Sequence, residues 1–225
     1  MKVVKYQTIV YEKKDGVATI TLNRPDKNNA MNKQMVAELE DAMHKAGEDS
    51  GIRVILWAAK GKHFQAGGDL EEFKGASPEF MALFNGRVMD LWRYMERLRK
   101  PIIGVIHGFC VMDSMQGFDL IIASDDARFA NPEISVGISP GAGISQRMLR
   151  WMSPFQAKQL LFFPDAITAW EGSRLGFVNW VVSRDRLEAD SQRIAAILAN
   201  SAPLALGSIK MSINIGGEMD LDKGL

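Results

Sequence analysis

Short apolar runs recur through the first half of the chain: "VATITL", "VILWAA", "PIIGVIHG" and "LIIAS". Runs this short fit strands, and "VILWAA" a buried one. Between the first three lie segments of helical periodicity. Met35, Leu39, Ala42, Met43 and Ala46 share one helical face, with Asn32 as a cap. Phe80, Phe84, Val88, Leu91, Met95 and Leu98 share another, and Pro101 stops that helix. Strand–helix alternation of this kind predicts a layered α/β core. Ahead of it, "TIVYEKKDGVATITLNRP" reads as a hairpin around Asp15-Gly16. From Gly141 onward successive helices are predicted, interrupted by a strand at "VNWVVS" and ending with one around "PLALGSIKMSINI". No low-complexity linker and no close sequence repeat divides the chain. The expected organisation is a core over 1–189 and a helical segment over 190–225.

Composition removes several function classes. A chain of 225 residues can bury one sizeable core. Its 27 Lys and Arg balance 27 Asp and Glu, so no net field favours nucleic acid or an anionic membrane. Neither partner is expected. A single cysteine, Cys110, excludes an internal disulfide and a thiolate zinc cage, and fits a reducing compartment. His44, His63 and His107 form no i, i+4 pair, so no metal is expected. The N-terminus lacks the apolar core of a signal peptide, and "PIIGVIHGFCVM" is too short to span a bilayer. These features point to the cytoplasm.

Three glycine-containing patterns invite a chemical reading. "GISPG" (137–141) matches a nucleophile elbow around Ser139. Pro140, however, lacks the N–H that would serve as oxyanion donor, and no histidine comes after His107. "GAGISQ" (141–146) misses the dinucleotide fingerprint at Gln146, although Asp165 stands at a tolerable distance for a ribose contact. The residues after Gln146 are helical in pattern rather than a βαβ unit. "HFQAGGDL" (63–70) sits directly after a strand and puts bare backbone before a carboxylate. A phosphate cradle, an anion hole or a plain turn all fit it, but no Lys-Ser or Lys-Thr pair makes it a Walker loop.

Five segments together resemble the crotonase (enoyl-CoA hydratase/isomerase) superfamily. They are "NRPDKNNAMNKQMVAELEDA" (23–42), "VILWAAKGKHFQAGGDLEEF" (54–73), "KPIIGVIHGF" (100–109), "SDDARFANPEISVGISPGAGISQRM" (124–148) and "AITAWEGSRLGFVNWVV" (166–182). They run in order along nearly the whole chain. The resemblance implies an α/β fold, a spiral of ββα repeats with a C-terminal helical segment that extends further than Leu225. It also implies a homotrimer or dimer of trimers, and an acyl-CoA thioester as substrate. Coenzyme A enters as part of that substrate, with no separate cofactor.

The implied chemistry is hydration or isomerisation of an enoyl-CoA through an enolate whose oxygen two backbone N–H groups stabilise. Gly68 falls on the first donor, and Asp69 braces its loop. The second donor comes from a glycine run that is absent here: "MDSMQGFDL" comes directly after "HGFCV", three residues short, and leaves Met112 as the nearest backbone. Glu133 falls on one catalytic carboxylate. Asp113 falls where hydratases carry the other, one methylene shorter than glutamate. Lys27, Asn28, Ala66 and Gly67 fall on the coenzyme A site. Other reactions open to the same enolate are hydrolysis, decarboxylation or dehalogenation of an acyl-CoA. A crotonase-fold protein that binds acyl-CoA without turnover is the remaining alternative.

Overall fold

The computed structural model describes residues 2–224. Asp15-Gly16 closes the predicted hairpin between strands β2 (Ile9–Lys14) and β3 (Val17–Leu22), and β1 (Lys2–Lys5) extends it antiparallel. Both turn residues have positive φ, 48° and 80°, a backbone twist that matches the flanking strands. Seven further strands come after the hairpin: β4 (Val54–Ala59), β5 (Ile102–Ile106), β6 (Phe109–Val111), β7 (Leu120–Ser124), β8 (Arg128–Ala130), β9 (Ile167–Thr168) and β10 (Trp180–Val182). The helices begin with α1 (Lys33–Glu48), α2 (Leu70–Phe73) and α3 (Pro78–Arg97). After them come α4 (Ile144–Trp151), α5 (Pro154–Phe162), α6 (Ala169–Leu175), α7 (Leu187–Ala199), α8 (Pro203–Asn214) and α9 (Leu221–Gly224).

The strands sort into a large sheet, ordered β1-β2-β3-β4-β5-β7-β10, and a small one, β6-β8-β9. From β3 to β10 the large sheet is parallel. The chain visits the two sheets in turn, β5 then β6, β7 then β8. The loop after β4 does the same through a single parallel bridge from Gln65 to Cys110 of β6. Each circuit therefore lays one strand in the large sheet and a shorter one beside the small sheet. This is the expected spiral. The repeat belongs to the backbone path, which explains why the sequence shows none.

Alternation decides which layer each strand residue meets. Val54, Leu56, Ile103, Val105 and Ile122 pack on one face with Leu187, Ile194, Ala195 and Ala199 of α7. Ile55, Trp57, Ile102 and Ile106 join the opposite cluster, with Met35, Leu39 and Met43 of α1 and Leu91, Trp92 and Met95 of α3. Burial on both faces is the reason these strands read as unbroken apolar runs. The 189/190 division falls inside α7, a helix packed on the large sheet. α8 is also tied to the core: buried Lys210 Nζ donates to Met95 O (2.8 Å) and Asp119 Oδ2 (2.7 Å). Among the described residues no single helix is long and apolar enough to cross a membrane.

Candidate active site

The glycine loop is held by the turn that precedes α1. Buried Asn29 accepts from Arg24 N (2.8 Å) and donates to Lys60 O and His63 O (2.9 Å each), stapling the two segments. Backbone bonds continue the seam: Ala66 N to Asn28 O (3.1 Å), Met31 N to Gly67 O (2.7 Å) and Asp69 N to Met31 O (2.9 Å). Asn28, Ala66 and Gly67 thus lie along one seam, with Lys27 next to Asn28 in the chain. Gly68 bridges Met31 in parallel, and this bridge uses the carbonyl before Gly68 and the amide after it. Its own N–H is left facing away, with no acceptor among the described residues.

Two glycines are needed here for different reasons. Gly67 has φ of +90°, and a side chain there would also meet Val111. A Cβ on Gly68 would run into the Phe73 ring, which packs against Phe84 at 4.8 Å between centroids. Asp69 caps α2, its Oδ1 accepting from Glu71 N (3.1 Å), while Oδ2 pairs with Arg24 at 3.0 Å. Burial opposes the charge on Asp69, but Arg24 and the Glu71 and Glu72 amides outweigh it and hold the carboxyl below its ordinary range. Lys27 Nζ meets exposed Glu71 at 2.8 Å, which raises its pKa.

The second wall is the shortened segment. Val111 N donates to Gln65 O (3.0 Å), beside the parallel bridge from Gln65 to Cys110. There the chain leaves β6 directly into a single 3-10 turn, Met112–Met115. Met112 is its first residue, where a helical turn leaves amides without partners of its own. Its side chain is wholly buried. Asp113 comes next, near enough to feel the charge of Glu133, which lies in the 3-10 turn Pro132–Val136.

The charge of Glu133 adds to the cost of ionising Asp113. Asp113 is pushed up to about 8, first by burial and next by the charge of Glu133, while Arg147 pulls the other way. Glu133 is also raised, chiefly by burial. The Asn131 amide opposes that shift from nearby, yet neither polar atom of buried Asn131 makes a hydrogen bond, and Glu133 Oε2 has no partner either. Both carboxyls are thus easier to protonate than in water, Asp113 by burial and a neighbouring charge and Glu133 by burial.

Two residues missed in the sequence complete the surroundings. Gln116 donates from Nε2 to Asp113 Oδ1 (3.0 Å), and its Oε1 accepts from Arg147 Nη1 (3.1 Å). Only the i, i+3 spacing of Gln116 from Asp113 could have pointed to it, and that spacing matters only once a helical turn is known. The other glycine motifs fall away from this site. Ser139 lies exposed on a loop after the Pro132–Val136 turn, with no strand leading into it. "GAGISQ" opens α4, which is succeeded by α5 rather than a strand, and Asp165 is exposed. Among the described residues no cluster of His, Cys, Asp and Glu could hold a metal ion.

The spiral agrees with what comparison with known proteins finds. The family model described as enoyl-CoA hydratase/isomerase matches residues 12–225. The chain belongs to this family. A crotonyl-CoA hydratase of Syntrophomonas wolfei is 32% identical over 98% of the chain and 86% of its own length. A short-chain-enoyl-CoA hydratase of Clostridium acetobutylicum is 34% identical over 99% of the chain and 87% of its own length. An enoyl-CoA hydratase structure from Geobacillus kaustophilus superposes with a TM-score of 0.95 at 27% identity, covering 99% of this chain and 86% of that one. The architecture is the crotonase fold, and the family is one of hydratase and isomerase enzymes.

Proposed function

We propose that this family member hydrates a 2-enoyl-CoA thioester by way of an enolate. The observation that carries the reading is the proximity of two half-buried carboxyls, Asp113 and Glu133, together with a Gly68 amide that has no acceptor among the described residues. The ionised carboxyl takes a proton from water as the water oxygen bonds to C3. The double-bond electrons move toward the thioester, whose oxygen gains charge, and the protonated carboxyl delivers its proton to C2. Glu133 is the principal acid/base group and Asp113 assists. Gly68 N–H and Met112 N–H receive the thioester oxygen, each such donor contributing roughly 3 kcal/mol in comparable sites. Asp69, paired with Arg24, keeps the Gly68 loop in place and takes no part in proton transfer.

Lys27, Asn28, Ala66 and Gly67 form the coenzyme A edge, where the exposed Lys27–Glu71 pair can exchange for a phosphate contact. Coenzyme A is part of the substrate and no further cofactor is required by this chemistry. The assembly is a homotrimer or dimer of trimers, and the setting is the cytoplasm. Large exposed apolar side chains support assembly: Phe155, Phe162 and Phe163 around α5, Trp170 on α6, and Leu204 and Ile213 on α8.

The test is turnover of crotonyl-CoA, monitored by loss of enoyl absorbance and by mass of the product. Glu133→Gln should lower kcat by about 10²- to 10⁴-fold with little change in KM, as removal of a proton-transfer group does. Full activity in that variant would overturn the assignment. A gain of water identifies hydration; release of free coenzyme A, carbon dioxide or halide from other thioesters would identify the alternative enolate reactions. Tight acyl-CoA binding without any turnover would mark a binding protein, which the shortened glycine run makes the reading to exclude.

A further inference from the structure

Glu96, Arg147, Gln116 and Asp113 form an unbroken hydrogen-bonded line from α3 to the site. Glu96 grips Arg147 with both oxygens, Oε1 to Nε at 2.5 Å and Oε2 to Nη2 at 3.1 Å. The remaining guanidinium nitrogen, Nη1, is directed at Gln116 Oε1 and Ala142 O, 3.1 Å each. Arginine can only donate. Gln116 must therefore turn its oxygen to Arg147 and its NH₂ to Asp113, which settles the amide orientation from chemistry alone. That NH₂ reaches Asp113 Oδ1 at 3.0 Å and Asp113 O at 3.1 Å. Gly143 makes room for the line: it has φ of +88°, and a Cβ there would lie 2.6 Å from Arg147 Nη1.

We propose that Gln116, oriented by the Arg147–Glu96 pair, is a positioning residue that fixes Asp113 Oδ1 as an acceptor and leaves Oδ2 to carry the reaction's proton. An oxygen already accepting from an amide donor is the poorer place for a proton, so protonation is directed to its partner oxygen. Fixing one oxygen also fixes the plane of the carboxyl, and with it the direction in which the other presents a proton. This matters more for aspartate than for a longer acid, because a short side chain has fewer rotamers with which to correct a misplacement. The charged groups that bear on Asp113 are Glu133 from the Pro132–Val136 turn and Arg147 from α4, with Glu96 of α3 behind the arginine. The inference rests on Asp113 taking part in proton transfer.

The experiment tracks the Asp113 carboxyl carbon and the Gln116 side-chain amide by NMR across pH, alongside crotonyl-CoA kinetics. In the wild type, the Gln116 Nε2 protons should shift with the Asp113 titration. In Gln116→Met, similar in length but without a donor, the Asp113 midpoint should rise by about one pH unit, since the ionised form loses its hydrogen bond. Its kcat should fall about tenfold with KM little changed. Gln116→Glu, which replaces the donor with an acceptor, should raise the midpoint at least as far. A Gln116 amide that does not respond to Asp113 in the wild type overturns the proposal without recourse to either variant. So does a folded variant whose Asp113 midpoint stays put. If crotonyl-CoA turnover is intact while the amide is silent, the positioning role fails and hydration stands. If the amide responds but no thioester is turned over, the hydrogen bond stands and both its catalytic role and the hydratase reading fall.

Discussion

Asp113 shows how far a residue's meaning depends on its neighbours. In water its carboxyl would be ionised well below neutral pH; here burial and then Glu133 push it up to about 8. A group with a raised pKa keeps its proton until the pH passes through that value. Where Asp113 supplies the acid, hydration should therefore decline as pH rises through about 8. Asp113→Asn should lower activity and also erase that alkaline limb, as measured from kcat/KM between acid and alkaline pH. A limb that persists unchanged in Asp113→Asn would assign it to another group. Asp113 was legible as a candidate from the order of motifs, but its proton was not. That state depends on Glu133, twenty positions away in sequence, and on Arg147, farther still.

At the scale of elements, turns and caps behave as their residues predict. Asn32 caps α1 by accepting from Met35 N (2.9 Å), and Asp15-Gly16 turns the hairpin. The loop at 63–70 is different, because its shape is fixed from outside, by Asn29, Met31 and Arg24. Gly67→Ala forces an L side chain to a φ of +90°. It should cost about 1–2 kcal/mol of stability, read by urea unfolding, and displace the Gly68 amide enough to lower kcat. Gly75 and Gly176 also have positive φ but lie away from this seam, so alanine there should cost stability alone. The short turn at Met112–Met115 stands where the resemblance implies a glycine run. Asp113 comes off β6 directly into this turn, where Gln116, one helical turn on, reaches it.

For the whole molecule, the spiral explains both the buried site and the exposed apolar surface. One side of the large sheet is covered by α7 and the other by α1 and α3, so the core is closed within one chain. α5 and α8 are not covered on their outer faces: Phe155 is 85% exposed and Leu204 82%. Aromatic and aliphatic side chains at such exposure are costly to leave in water and fit burial against further copies. Sedimentation should show a trimer or a multiple of it. Phe155→Glu together with Phe162→Glu should shift the population toward smaller species if α5 lies in the contact. A monomeric wild type would overturn the assembly.

The sequence by itself determined the local grammar: which runs are strands, which faces of the helices are apolar, where the hairpin turns, and which family order the motifs keep. These are properties of spacing over a few residues, and short-range sterics and burial patterns enforce them. The tertiary structure alone shows that Asn29 staples the glycine loop and that Asp113 feels the charge of Glu133. It also shows that Gly68's amide has no acceptor among the described residues and that Gln116 points a donor at Asp113. The reason is physical: hydrogen-bond direction and desolvation arise between segments that the spiral brings together, and no local pattern encodes them.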